Sequence, residues 1–133
     1  MRGYYFVEKT WENNQTLKNI ALKKLRSGVK SSEVYTAVKS ASDELKIPFW
    51  QDIDIGHGVG TSEREAPYLA PFDDTPLMAG MVIALGIYTY GDDDELICNK
   101  DMYLVTDEEP RLLNWYKSWD DLYVVYGTSA RHG

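Results

Sequence analysis

Two segments rich in β-branched and aromatic residues, MVIALGIYTY (81–90) and LICNKDMYLVT (96–106), are separated only by the acidic stretch GDDDE (91–95). Strong β-formers interrupted by a short turn containing Gly and Asp define a hairpin. Its strands run antiparallel, because no helix lies between them to carry a parallel crossover. A further segment, LYVVYG (122–127), predicts one more strand. What precedes the hairpin must then cover one face of this sheet.

Two preceding segments have helical period. Leu17, Ile20, Ala21 and Leu25 recur at that spacing after the capping-type residues Asn13 and Asn14, and the pattern stops at Ser27 and Gly28. This predicts a helix from Gln15 to Ser27. Val34, Ala37, Val38, Ala41 and Leu45 share one face of a second segment, with Ser31 or Ser32 as its cap, Glu33 in its first turn and Pro48 just beyond. This predicts a helix from Ser32 to Lys46. Ahead of both, GYYFVEKTW (3–11) is aromatic and β-branched and predicts a strand. The order strand, helix, helix and then strands alone is that of an α+β domain, an antiparallel sheet with two helices on one face. At 133 residues and 44% hydrophobic content the chain is long enough for one core and too short for two ordinary domains. Residues 1–127 are therefore expected to form one domain, with 128–133 as a flexible tail.

The formal charge of -7 comes mostly from GDDDE, TDEE (106–109) and WDD (119–121), a distribution that repels phosphate backbones. Nucleic acid is excluded as a partner, and Lys18, Lys23, Lys24, Arg26 and Lys30 read as the solvated face of a helix. No apolar run is long enough to span a membrane, and the N-terminus lacks the apolar core of a signal peptide. The expectation is a soluble, cytoplasmic protein. Cys98 is the single cysteine, so it forms no internal disulfide and reads as a small buried hydrophobe. Trp11, Trp50, Trp115, Trp119 and Tyr88 read as core or interface rather than as a binding groove.

Several ordered motifs point further. GHGVGTSEREAPYL (56–69), PLMAGMVIAL (76–85) and NKDMYLVTDEEPRLL (99–113) resemble, in order and spacing, the C-terminal half of the pita-bread metallopeptidases of family M24, which include methionine aminopeptidase, Xaa-Pro aminopeptidase and prolidase. LRSGVKSSEVYTAV (25–38) resembles the helix-turn-helix ahead of the histidine strand in that family. The resemblance implies half of a pita-bread fold. It also implies a site for two divalent metals held by two aspartates, one histidine and two glutamates, since hard cations take carboxylate oxygens and a metal pair activates water.

Carried over position by position, the histidine is His57. The first glutamate position holds Gly86 and the second holds Lys100, followed by Asp101. One aspartate position falls on Phe6 or Val7, the other upstream of Met1. Arg64, in REAP, stands where the family has the histidine of HEAP. Glycine and the apolar residues offer no ligand, and lysine sets a cation where a cation would bind. The implied function is a catalytically inactive peptidase-like module without metal or other cofactor, which binds a partner or peptide through the old cleft. One alternative is a non-metal enzyme of creatinase type acting on a small carboxylate-bearing substrate, with His57 as acid–base group and Arg64 or Lys100 orienting the substrate. Another is a C-terminal fragment of an Xaa-Pro peptidase completed by another chain.

Within the cleft, His57 reads foremost as a relic imidazole hydrogen-bonded at a strand end, the alternative being a residual ligand or general base. Arg64 and Glu65 either recognise a carboxylate or pair with neighbours on a loop surface. Lys100 and Asp101 read as an ammonium–carboxylate arrangement filling the old metal site, against Lys100 simply facing water. A half-fold leaves a sheet edge and an apolar face uncovered, so a homodimer or a partner chain supplying the missing half is expected. The contact is expected at the edge near the N-terminal strand and the cleft side of MVIALGIYTY.

Overall fold

The computed structural model describes residues 3–60, 65–91, 95–113 and 124–126. Helix α1 spans Gly3–Lys24 and α2 spans Ser31–Leu45. The strands follow as β1 (Gly56–Gly58), β2 (Glu65–Tyr68), β3 (Val82–Tyr90), β4 (Glu95–Leu104), β5 (Arg111–Leu112) and β6 (Val124–Tyr126). They form one sheet in the order β2-β1-β3-β4-β5, with β6 also paired to β4, and every pairing is antiparallel. The expected hairpin is β3–β4, in register from Val82 opposite Leu104 to Tyr90 opposite Leu96.

The expected N-terminal strand is instead the first turns of α1. Local β preference in GYYFV loses to a helix whose later turns carry one buried stripe, in which Thr10, Asn14, Leu17 or Lys18, Ala21 and Leu25 recur at three- and four-residue intervals. Asn14 does not cap the helix. Buried in mid-helix, its Nδ2 donates to Ile87 O at 2.8 Å, to Ile97 O at 3.1 Å and to Thr89 Oγ1 at 3.1 Å, tying α1 to both strands of the hairpin. The chain leaves α1 through Gly28, whose φ of +91° suits glycine and whose N–H donates to Leu77 O at 2.8 Å.

α2 begins one residue before its predicted start, and neither serine caps it. The Glu33 carboxylate takes that role by accepting the Lys30 N–H at 2.9 Å, while the Ser31 hydroxyl donates to Thr75 O at 2.8 Å. Leu17, Leu25, Val34, Val38, Ile83, Leu85 and Ile87 form the centre of a core between the helices and one face of the sheet. Tyr35 and Phe49 close it with rings 6.1 Å apart. Among the described residues no helix is long and apolar enough to cross a membrane. The tail 128–133 and most of the segment 122–127 lie outside the described residues.

Candidate functional site

Helices cover one face of the sheet, and the other face carries the motif residues. β4 alternates along its length, with Ile97, Asn99, Asp101 and Tyr103 buried and Cys98, Lys100 and Met102 on the opposite side. Lys100 lies directly opposite Gly86, Cys98 opposite Tyr88 and Met102 opposite Ala84. Ala84 in turn pairs with His57 on β1. The period of two therefore brings His57, Gly86 and Lys100, distant in the sequence, to one face.

Glycine on either side of His57 lets the strands approach. A Cβ on Gly56 would meet Leu69 Cδ1 at 2.7 Å and Ala84 O at 2.8 Å, and one on Gly58 would meet Ala66 O at 2.5 Å. The register with β2 shifts between His57 and Gly58, a bulge that re-aims the histidine. His57 is 5% exposed. Its Nδ1 lies 3.0 Å from Gly58 O, so in the neutral ring Nδ1 carries the hydrogen and donates it to that carbonyl. Nε2 is buried and has no hydrogen-bond partner among the described residues.

A cavity of about 80 Å³ opens here, lined by Ile53, Asp54, Gly56, His57, Ala84, Gly86, Tyr88 and Lys100. The Lys100 stem occupies the space that Gly86 leaves, since a Cβ at Gly86 would lie 3.1 Å from Lys100 Cγ. Asp54 is a site residue that motif reading missed. Its signal in the sequence is an acid inside the apolar run IDIGHG, three positions ahead of the histidine. Tyr88 sits edge-on against Trp50, with rings 5.7 Å apart at 80°. Tyr88 thus reaches the cavity, where the sequence placed it in core or interface. Trp115 and Trp119 lie outside the described residues.

Asp101 does not join Lys100. Adjacent strand residues point to opposite faces, and Asp101, 3% exposed, turns under α1, where its Oδ2 lies 4.0 Å from Lys18 Nζ. The expected Lys100–Asp101 arrangement is thereby replaced by a buried Lys18–Asp101 pair, and Lys18 leaves the solvated helix face it was assigned to. Glu65 opens β2 and is half-buried, but it is not among the residues lining the cavity. Arg64 lies outside the described residues. A larger cavity of about 440 Å³, between α1 and the chain after β4, is lined by Asn19, Lys23, Arg26, Tyr103 and Glu109 among others and includes no residue of the motifs' cleft.

Burial pushes the Tyr88 hydroxyl up to about 12, with help from the Cys98 charge and from the hydrogen bond between the two groups. Burial likewise raises Cys98 above the ordinary thiol range, outweighing the lowering by Tyr88 and Lys100. The thiol is expected to react with iodoacetamide at least tenfold more slowly in the folded chain than in urea at neutral pH, and to speed up only as the pH rises. Equal rates in both states would show an open thiol.

Among the described residues no three His, Cys, Asp or Glu side chains stand close enough to hold an ion.

The model of metallopeptidase family M24 matches residues 6–107. Among solved structures, the prolidase from Pyrococcus furiosus superposes with a TM-score of 0.72 at 22% identity, over 83% of this chain and 33% of that one. The X-Pro aminopeptidase from Thermotoga maritima gives 0.71 at 19% identity, over 80% and 30%. The N-terminal domain of FACT complex subunit SPT16 from Cicer arietinum (chickpea) gives 0.68 at 16% identity, over 78% and 27%. No curated protein matches the chain. The chain thus spans only 27% to 33% of these solved chains, and its two helices and antiparallel sheet are half of a pita-bread domain. With the family model matching most of its length, the chain belongs to metallopeptidase family M24.

Proposed function

We propose that this chain is a catalytically inactive, peptidase-like module that binds a peptide or a partner chain through the sheet face opposite its helices. The observation that carries this reading is the pairing of Gly86 with Lys100 beside His57. Where the family resemblance puts two carboxylates, this chain has no side chain and an ammonium stem. Two divalent ions at that spot would lack the two carboxylates of the family pattern and face a positive charge. The metal chemistry of the family therefore has no support in these residues.

Partner binding is supported by what the face opposite the helices carries among the described residues. Tyr90 and Met102 on it are exposed, as are Leu112 and Leu113 at its β5 margin. The N-terminal residues form a helix, so no strand edge stands there to be paired, and the cleft side of β3 remains the expected contact. The fold also occurs in a domain whose name marks it as part of a complex rather than as a peptidase.

The test is metal analysis after incubation with excess manganese, cobalt or zinc, combined with light scattering over a concentration series. No stoichiometric metal, no cleavage of Xaa-Pro peptides and a mass that rises with concentration or with an added partner are expected. Two bound metals per chain, or turnover of an Xaa-Pro dipeptide, would end this reading.

A further inference from the structure

The cavity beside His57 contains an incomplete hydrogen-bond arrangement. With Nδ1–H donated to Gly58 O, the neutral His57 ring presents only a lone pair at Nε2, which is buried and lacks a donor among the described residues. A buried acceptor without a donor is costly, so something that donates belongs there. Across the same cavity, Lys100 is exposed and brings donors but no acceptor. The other polar groups of the wall are Asp54 and Tyr88. Asp54 offsets Lys100 formally and has partners of its own, and Tyr88 stays protonated through the neutral range.

These features select among ligands. A carboxylate would bring only acceptors to a wall whose buried Nε2 is itself an acceptor. A metal cation would meet the lone pair at the cost of facing the ammonium. A neutral group with one N–H and one C=O satisfies both sides, and a cavity of about 80 Å³ has room for the few non-hydrogen atoms of such a group.

We propose that this cavity is an amide-binding subsite, in which an amide group of the bound partner donates its N–H to His57 Nε2 and accepts from Lys100 Nζ through its carbonyl. The inference rests on the reading of this face as a metal-free binding surface. The amide comes either from an Asn or Gln side chain or from a backbone peptide group, and small probes separate the two sources.

The experiment is nitrogen NMR of the full chain labelled at histidine, whose two ring systems, His57 and His132, are told apart with His132→Ala. Acetamide, N-methylacetamide, acetate and zinc are titrated in turn on the alkaline side of neutrality. Acetamide or N-methylacetamide is expected to move His57 Nε2 in the direction of an accepted hydrogen bond, without protonating the ring. The affinity should fall several-fold in Lys100→Gln, whose fold is checked by circular dichroism. A stronger response to acetamide identifies a side-chain carboxamide as the natural occupant, and a stronger response to N-methylacetamide a backbone peptide group. A response to acetate alone, with ring protonation, would overturn the amide assignment and make the site an anion seat. Silence towards all four probes would overturn it in favour of solvent. Saturable zinc coordination at Nε2 would overturn the metal-free reading itself, which the other outcomes leave standing.

Discussion

Gly58→Ala is expected to lower the stability of the folded chain by about 3 kcal/mol, a fall in Tm of roughly 10 °C. The new Cβ would lie 2.5 Å from Ala66 O and 3.0 Å from both Ala66 C and Glu65 O. All three atoms belong to the backbone of the adjacent strand, so relief requires β1 and β2 to separate rather than a side chain to rotate. The separation would break the pairing that holds His57 at its bulge. Gly86→Ala is the internal control. There the nearest atoms are Lys100 Cγ at 3.1 Å and Lys100 Cβ and Cδ at 3.4 Å, a flexible stem that can lean aside. That substitution is expected to cost less than about 1 kcal/mol. Urea denaturation of the two variants checks the contrast, and a Gly58→Ala chain as stable as the parent would refute the close approach of the strands.

Breaking the buried pair beneath α1 is expected to have a comparable effect for a different reason. Lys18 and Asp101 have side chains only 11% and 3% exposed, with Nζ and Oδ2 4.0 Å apart. Asp101→Leu leaves a cation under the helix without its Asp101 partner, a change of about 3 kcal/mol. Lys18→Met is expected to cost less, because Asp101 has further interactions that continue to hold it. The double variant is expected to be more stable than Asp101→Leu alone, since replacing both members by apolar groups removes the uncompensated charge. A double-mutant cycle from denaturation midpoints gives the coupling. Strict additivity would mean that the two groups do not sense each other, and that Asp101 is held entirely by its other contacts.

Both effects arise at positions where the sequence pattern said little about the partner. The β3–β4 hairpin was legible because β-formers and an acidic turn sit next to each other in the chain, and α2 because its apolar face, Glu33 and Pro48 are all local. The start of α1 was not. GYYFV favours a strand by itself, and Asn13 and Asn14 are typical helix caps, yet the segment is helical. Asn14 reaches across to carbonyls of β3 and β4, a partner distant in sequence.

The same division runs through the site. By itself the sequence determined which residue types stand at the motif positions, His57, Gly86 and Lys100, and it made Lys100 and Asp101 immediate neighbours. On a strand that spacing puts the two side chains on opposite faces, so the failure of the Lys100–Asp101 arrangement was implicit once β4 was identified. Only the tertiary structure decided that the three motif positions converge on one cavity, that Asp54 and Tyr88 complete its wall, and that Lys18 leaves the helix surface to meet Asp101. The physical reason is that side-chain direction follows from local backbone period. The identity of the neighbour met in that direction is set by strand register and helix docking, which are properties of the whole sheet.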